Sequence, residues 1–176
     1  MKKLSLDQLN RVSIEVFKTQ EKAPAVLILD NIRSLNNVGS AFRTADAFAI
    51  EKIFLCGITG KPPHRDIQKT ALGATESVSW EFFEKIDTCL AHLKNEEFTI
   101  IAVEQTDSSI ELQDFKVALS KKYAFVVGNE VQGISEKALP FCDFSLEIPQ
   151  FGTKHSLNVS VSLGIVLWEF IRQRNA

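Results

Sequence analysis

Two neighbouring stretches, "AVLILD" (residues 25–30) and "LNNVGSAFRTADAFA" (residues 35–49), decide the fold class. The first is a short apolar run, which is typical of a parallel strand buried on both faces. In the second, apolar residues recur at the three- and four-residue spacing of a helix that buries one face. A buried strand followed by an amphipathic helix is the repeating unit of α/β proteins.

The alternation of strand and helix continues along the chain. Further strands are predicted in "KIFLCG", "SVSWEFF", "FTIIAVEQT", "KYAFVVGNE" and "FSLEIP". Helices are predicted in "HRDIQKTALGA", "DTCLAHLKNE" and "SLNVSVSLGIVLWEFIRQRN", with a short helical turn in "SEKALPFC". These elements predict a parallel α/β sheet covered by helices on both faces.

The chain shows no sign of division into several domains. Its 176 residues contain no internal repeat and no linker rich in Pro, Gly or Ser, so we expect one domain over residues 1–176, in which residues 1–21 form a short N-terminal extension. Hydrophobic residues make up 45% and charged residues 24%, which is typical of globular proteins and argues against disorder. The N-terminus lacks the apolar block of a signal peptide, and the longest apolar run is too short for a membrane span. We expect a cytoplasmic protein that does not bind membranes.

Composition also narrows the choice of ligands. The net charge of −2 gives no general support for nucleic-acid binding, so any RNA contact must rest on local basic patches. Cys56, Cys89 and Cys142 are far apart, without a Cys-x-x-Cys pair or clustered histidines, so neither a disulfide framework nor a metal site is predicted. The chain has no G-x-x-x-x-G-K-[ST] and no G-x-G-x-x-G motif, which argues against nucleoside triphosphates and dinucleotides.

A polar turn, "VVGNEVQGIS", follows one of the buried strands. In parallel sheets ligands bind beyond the carboxyl ends of the strands, where Gly128 and Glu130 would lie. One interpretation is a turn that caps the next helix, with Ser135 as the N-cap. The other is a ligand site, in which main-chain groups bind an adenine or ribose and Glu130 anchors a basic partner such as Arg43.

A second polar stretch, "GTKHSLNVS", leads into the last helix. Ser156 is predicted as the N-cap of that helix. Asn158 is a poor helix-interior residue, and on a mostly buried helix its side chain needs a partner in the protein or in a ligand.

Several basic residues have both a structural and a functional interpretation. Arg43 lies off the apolar face of its helix, where an arginine is usually solvated and could pair with Asp46. The stretch "GITGKPPHRDIQK" is either a solvated loop or a phosphate-contacting one, which Arg33 could extend.

Three segments, in this order, resemble the SpoU/TrmH family of S-adenosyl-L-methionine-dependent RNA ribose 2′-O-methyltransferases. They are "NVGSAFRTADAF" from Asn37, "VVGNEVQGIS" and "IPQFGTKHSLNVSVSLGIVLWE". The first is similar to the family's N-x-G-x-x-x-R-T-A motif. The similarity covers roughly residues 22–172, and the combination is far more specific than any one segment.

The resemblance implies a SPOUT-type α/β knot, in which the C-terminal part of the parallel sheet is threaded as a deep trefoil and binds S-adenosyl-L-methionine. It also implies a homodimer, with the first and last helices at the interface. The residues implied in cofactor binding are Gly128, Ile148 and Leu157, with main-chain help near Glu104, Thr106 and Ser156.

The resemblance further implies methyl transfer to a ribose 2′-hydroxyl of RNA, tRNA in preference to rRNA. Arg43 is the implied catalytic arginine, and the other matching polar positions are Asn37, Glu130, Ser156 and Asn158. An arginine is a poor general base, so we expect Arg43 to bind a phosphate or hydroxyl oxygen and stabilise the developing alkoxide. We expect RNA to contact a basic patch that consists of Arg33, Lys61, His64, Arg65 and Lys154.

Two alternatives remain open at this point. The chain could be a non-catalytic RNA- or metabolite-binding α/β protein, although an intact set of motif residues argues against it. It could also be a SPOUT methyltransferase that modifies a base nitrogen, for which the arginine-centred 2′-O motif is the wrong signature.

Overall fold

The computed structural model describes residues 1–5 and 7–175 and contains seven strands and six α-helices within them. The strands are β1 Ala23–Asp30, β2 Ile50–Cys56, β3 Ser79–Phe83, β4 Phe98–Val103, β5 Ile110–Glu111, β6 Lys122–Val127 and β7 Phe144–Glu147. The helices are α1 Ile14–Thr19, α2 Leu35–Ala47, α3 Arg65–Ala71, α4 Ala74–Ser77, α5 Ile86–Asn95 and α6 Val159–Arg174. Short 3₁₀ helices occur at Asp7–Leu9, Leu112–Asp114 and Leu139–Phe141.

All seven strands form one parallel sheet in the order β3-β2-β1-β6-β4-β7-β5. The predicted parallel α/β architecture is therefore confirmed. The order makes β6, β4 and β7 direct neighbours, although they are far apart in the chain. Because the strands are parallel, the loops that follow these three strands meet at one edge of the sheet.

The core consists of two hydrophobic clusters, one on each face of the sheet. Alternate residues of β1 point to opposite faces, so Leu27 and Leu29 join the cluster with α2 and α6, whereas Val26 and Ile28 join the cluster with α5. Every one of these four side chains is buried. This two-sided burial explains why "AVLILD" is apolar without alternation, and it places helices on both faces as predicted.

Four element boundaries differ from the prediction. The expected single helix in "HRDIQKTALGA" is two helices, because Leu72 (φ 48°) and Gly73 (φ 90°) are left-handed and end α3. The strand expected from residue 77 begins at Ser79, since Ser77 belongs to α4. The helical turn in "SEKALPFC" is one 3₁₀ turn over Leu139–Phe141. The last helix begins at Val159 and not at residue 156, because Asn158 is its N-cap.

Two short elements were missed by the sequence patterns. Helix α1 lies within the predicted extension, residues 1–21, and buries Phe17 in the main core cluster. Leu6 of that extension lies outside the described residues. Strand β5, only two residues long, completes the sheet beside β7. No helix among the described residues is both long and apolar enough to cross a membrane.

Candidate active site

A cavity of about 690 Å³ opens at the carboxyl ends of β4, β6 and β7. Its walls come from three loops and from the start of α6, and all are brought together by the strand order. Most of the lining residues fall in the ranges 103–106, 127–134, 146–150 and 155–159, and Leu139 and Ser162 complete the lining. This is the position at which parallel α/β sheets bind ligands.

The cavity collects all the residues predicted to bind a cofactor. Residues from three separate segments line it, namely Glu104, Thr106, Gly128, Ile148, Ser156 and Leu157. Three of the residues predicted as catalytic line it, namely Glu130, Asn158 and Ser156, which was predicted for both roles. Their roles stay predictions, but their convergence is a property of the fold.

The turn after β6 forms a tightly built wall of the cavity. Asn129 Oδ1 accepts the main-chain N–H groups of Val131 (2.9 Å) and Gln132 (3.1 Å), and Asn129 Nδ2 donates to the carbonyl of Asn31 at 2.8 Å. A Cβ atom added to Gly128 would lie 2.1 Å from the main chain of Gly133. Gly128 is therefore required by the close approach of two main-chain segments.

Glu104 joins the loop after β4 to this turn. Its Oε2 accepts the main-chain N–H of Ile134 at 3.1 Å, and its Oε1 accepts that of Gln105 at 2.9 Å. The side chain of Gln105 in turn donates to the carbonyl of His155 at 3.1 Å. The Thr106 hydroxyl is hydrogen-bonded to Ser145 at 2.6 Å, so within the chain it positions the loop.

Glu130 caps the N-terminus of α2. Its carboxylate accepts the main-chain N–H groups of Arg33 (3.1 Å) and Ser34 (3.0 Å) and the side-chain amide of Asn37 (3.0 Å). Partial burial acts to raise the pKa of Glu130, but these hydrogen bonds outweigh it and hold the pKa below the ordinary glutamate value. The predicted Glu130–Arg43 pair is wrong, because helix N-terminal donors take up the carboxylate instead.

Asn158 extends this network to α6. Its Nδ2 donates to Asn37 Oδ1 at 3.3 Å, and its Oδ1 accepts from the main-chain N–H of Ser160 at 2.9 Å. Asn158 is thus an exposed N-cap and not a helix-interior residue, and the partner that its side chain was expected to need is Asn37. The prediction of Ser156 as the N-cap is also wrong, because the helix starts three residues later.

Ser135 does not act as an N-cap either. Its main-chain N–H donates to the buried carboxylate of Asp30 at 2.8 Å, and the following 3₁₀ helix is preceded by Ala138. Within the described residues, the Ser135 hydroxyl is buried without a hydrogen-bond partner. Ser135 therefore ties the segment after the turn to Asp30 at the end of β1, and it does not cap a helix.

Arg43 lies on the exposed surface of α2, outside the residues that line the cavity. It follows Asn37 by six positions, about 9 Å farther along the helix and about 120° around its axis. The predicted pairing with Asp46 is wrong, because Asp46 accepts the Ser77 hydroxyl at 2.5 Å. Among the described residues, Arg43 has no ion pair and no side-chain hydrogen bond.

The residues of the predicted RNA patch are all exposed and all follow carboxyl ends of strands. Arg33 follows β1, the group of Lys61, His64 and Arg65 follows β2, and Lys154 follows β7. The Nζ of Lys61 lies 4.0 Å from the centre of the Phe82 ring. The part of the chain that the structure describes contains no group of three or more His, Cys, Asp or Glu side chains that could hold a metal ion.

An apolar stripe runs along the outer face of α6. It begins just before the helix and consists of Leu157, Val161, Ile165 and Trp168, which are exposed by 37–57%. Trp168 also contacts Phe48 at the end of α2, with ring centres 6.2 Å apart. Large contiguous apolar surfaces are typical of protein contacts.

Comparison with known proteins agrees with this arrangement. A model of the SpoU rRNA methylase family matches residues 24–168, which include the cavity and the network from Glu130 to Asn158. The chain belongs to this family. The resemblance inferred from the three motifs is thereby confirmed.

Three relatives of the family illustrate the similarity. The 23S rRNA (guanosine-2′-O-)-methyltransferase RlmB of Neisseria meningitidis is 36% identical over 94% of the chain, which spans 65% of that protein. The crystal structure of the Aquifex aeolicus TrmH/SpoU tRNA modifying enzyme is 30% identical, with a TM-score of 0.80 over 92% of the chain and 80% of the enzyme. The AdoMet complex of the methyltransferase AviRb from Streptomyces viridochromogenes has a TM-score of 0.78, over 93% of the chain and 65% of AviRb. At 20% identity, this last likeness shows the fold alone.

Proposed function

We propose that this family member transfers a methyl group from S-adenosyl-L-methionine to a ribose 2′-hydroxyl of RNA. The observation that carries the proposal is the hydrogen-bonded chain from Glu130 through Asn37 to Asn158, which joins the three motif segments beside one cavity. The names of the N. meningitidis and A. aeolicus relatives support RNA as the substrate. The family's description supports methyl transfer.

The cavity fits the cofactor in size and in charge. Its volume lies within the range of about 300–1,000 Å³ that is usual for small-molecule sites. The described residues that line it include the carboxylates of Glu104, Glu130 and Glu147 but no lysine or arginine, which suits a ligand with a positive centre. When bound, S-adenosyl-L-methionine supplies a methyl group on a positively charged sulfur. Gly128, Ile148 and Leu157 would hold it.

The C-terminal half of the chain forms the deep trefoil knot of the SPOUT fold. Strand β7 lies between β4 and β5, although it follows both in the chain. The segment after β7 then passes against the loop after β4, where Gln105 donates to the carbonyl of His155. This return of the chain past its own earlier loop supports the knot.

Two chains form a homodimer through the α6 stripe, with α1 and α6 at the interface. In a single chain the stripe is exposed, and burying it against a second copy would remove apolar surface from water. Since Arg43 does not line the cavity of its own chain, the Arg43 side chain serves the cavity of the second copy. The exposure of Arg43 on α2, a helix that packs against α6, supports this.

The residues of the site act by positioning and by charge. A ribose 2′-hydroxyl is a weak nucleophile, and in-line attack rewards accurate orientation. The guanidinium of Arg43 binds the neighbouring phosphate or the 2′-oxygen, which stabilises negative charge as it develops. Glu130, Asn37 and Asn158 hold the starts of α2 and α6 in register, and Ser156 lies at the cavity for contact with the ribose.

RNA lies along the carboxyl edge of the sheet, where Arg33, Lys61, His64, Arg65 and Lys154 contact its phosphates. From β2 to β7 this edge spans four strand spacings, roughly 19 Å. The proposed substrate is tRNA, which the name of the A. aeolicus tRNA modifying enzyme supports, with rRNA, the substrate named for the N. meningitidis relative, as the second candidate. The protein works in the cytoplasm, with residues 1–176 as one methyltransferase domain.

Incubation with labelled S-adenosyl-L-methionine and total RNA from a strain that lacks the protein tests the proposal. After nuclease digestion, mass spectrometry should find label in one 2′-O-methylnucleoside of the tRNA fraction. Label on a base would favour a base methyltransferase. Binding of cofactor and RNA without any transfer would favour a non-catalytic binding protein.

A further inference from the structure

The aromatic side chain of Phe151 is almost fully exposed to solvent. It is 97% exposed, which among the large apolar residues that the structure describes is exceeded only by the terminal Met1. Phe151 belongs to the segment of residues 148–158, which connects β7 to α6. Residues 151–158 of this segment are all exposed, so no neighbouring element shields the ring.

Phe151 lies in the chain between two residues that line the cavity. Gln150 immediately before it lines the cavity, and so does His155 four residues later. The hydrogen bond between Gln105 and the His155 carbonyl anchors the far end of this stretch. A nucleotide whose ribose enters the cavity therefore brings its neighbours past Phe151.

The surroundings of Phe151 differ from those of the α6 stripe. The ring stands alone among polar and cationic neighbours, Gly152, Thr153, Lys154 and His155. The centres of protein interfaces are depleted in charged residues and enriched in contiguous apolar surface. This describes the α6 stripe, which begins at Leu157, and not residues 151–155. An isolated aromatic ring beside a lysine is instead the combination that binds single-stranded nucleic acid.

We propose that Phe151 is a base-stacking residue, whose ring packs on an unpaired base of the RNA next to the methylated ribose while Lys154 contacts a phosphate. The inference rests on the proposed function, since it assumes that RNA enters the cavity. Proteins that read unpaired RNA stack its exposed bases on aromatic side chains. Removing such a stack is expected to weaken binding by about tenfold or more.

Three substitutions separate stacking from simple apolar contact. Phe151→Ala removes the side chain, Phe151→Leu keeps apolar bulk without a ring, and Phe151→Tyr keeps the ring. Leu119→Ala is the matched control, because Leu119 is 65% exposed and lies before β6, at the opposite edge of the sheet. The probe is a short single-stranded RNA that carries 2-aminopurine, whose fluorescence falls when the base stacks.

The alanine and leucine variants should bind this RNA about tenfold more weakly and lose the fluorescence change. The tyrosine variant and the Leu119 control should behave as the wild type, and all variants should bind S-adenosyl-L-methionine with unchanged affinity. Replacing Lys154 by Gln should flatten the dependence of RNA affinity on salt.

Two results would overturn the inference. If Phe151→Leu binds the RNA as tightly as the wild type, the contact is simple apolar burial and not stacking. If sedimentation shows that the Phe151→Ala dimer dissociates into monomers, the ring belongs to a contact between the two copies. If the wild type methylates RNA while the Phe151 variants bind RNA normally, only the stacking role fails. If the wild type binds neither cofactor nor RNA, the proposed function fails first.

Discussion

Glu130 and Asn37 are 93 residues apart, yet the Asn37 side-chain amide donates to the Glu130 carboxylate at 3.0 Å. The same carboxylate accepts two main-chain N–H groups at the start of α2. A negative charge is favourable at this end of a helix, so Glu130 stabilises α2 while it fixes the turn that forms one wall of the cavity. One side chain thus couples the fold of the first motif to the geometry of the second.

Substitution of Glu130 by Gln should weaken this coupling while it preserves side-chain shape. The amide nitrogen would face N–H donors, and the charge at the helix end would be lost, so we expect the free energy of unfolding to fall by about 1 kcal/mol. Methyl transfer should fall more steeply than stability, because the cavity wall and Asn37 lose their common anchor. Denaturant titration and a transfer assay on the same samples measure both.

The effect of Glu130→Gln should depend on pH. The pKa of Glu130 is lowered in the folded protein, so its stabilising effect is present above the ordinary value of 4.5 and is lost as the pH falls through the lowered pKa. The stability difference between wild type and variant should therefore be constant near neutral pH and shrink in acid. A difference that grows on acidification would contradict the capping role.

Substitutions of Asn158 can separate its two roles, capping α6 and contacting Asn37. Asn158→Ala loses both, and we expect about 1 kcal/mol of lost stability together with lost methyl transfer. Asn158→Ser keeps a good N-cap but is too short to reach Asn37. Thermal unfolding should therefore show that the serine variant recovers its stability. The transfer assay should show that it does not recover methyl transfer. Full activity in Asn158→Ser would leave the Asn37 contact without a function.

The sequence patterns predicted the architecture because each pattern reports a local periodicity. The apolar run of β1 and the helical spacing of α2 are both visible in short windows, and both elements are present in the structure. The predicted ends of helices and strands were wrong where a single residue determines where the element begins or ends. From the local sequence, Asn158 could be either a residue within the helix or its N-cap. Its hydrogen bond with the main-chain N–H of Ser160 identifies it as the N-cap.

The sequence predicted which residues form the site, but it did not predict which of them bond to one another. The motifs indicated Glu130 and Arg43 separately, and their opposite charges suggested a pair. The pair fails because the start of α2 presents main-chain donors to the carboxylate, and this depends on β1 and β6 being neighbours in the sheet. Sheet order comes from contacts between distant segments, which no local period encodes.

If Arg43 serves the cavity of a second copy, two inactive variants should restore each other. Arg43→Ala should abolish methyl transfer while S-adenosyl-L-methionine still binds, and Asn158→Ala should also be inactive. After the two are mixed and allowed to exchange subunits, one cavity in each mixed dimer has both residues, so about one quarter of wild-type activity should return. No recovery from proven mixed dimers would place Arg43 at its own cavity.

A charge within the α6 stripe should separate the copies. Ile165→Glu would bury a carboxylate in an apolar contact, which is strongly unfavourable without a partner. Sedimentation should therefore show monomers for Ile165→Glu and dimers for the wild type. Leu119→Glu, which adds the same charge at an exposed leucine outside the stripe, should remain dimeric. Dimers in both variants would mean that the stripe is not the interface.

Two glycines offer a matched test of the cavity wall. A Cβ atom on Gly128 would lie 2.1 Å from main-chain atoms of Gly133 and Ile134, whereas one on Gly152 would meet nothing within 4 Å. Gly128→Ala must therefore displace the turn that lines the cavity, and we expect S-adenosyl-L-methionine affinity to fall at least about tenfold. Gly152→Ala should bind as the wild type.

Calorimetric titration of both variants measures these affinities, and circular dichroism checks that each is folded. A folded Gly128→Ala protein with wild-type cofactor affinity would show that the turn does not contact the ligand. Weakened binding in both variants would instead implicate the mobility of the whole connection to α6, because a Cβ atom added to Gly152 would touch no part of the turn.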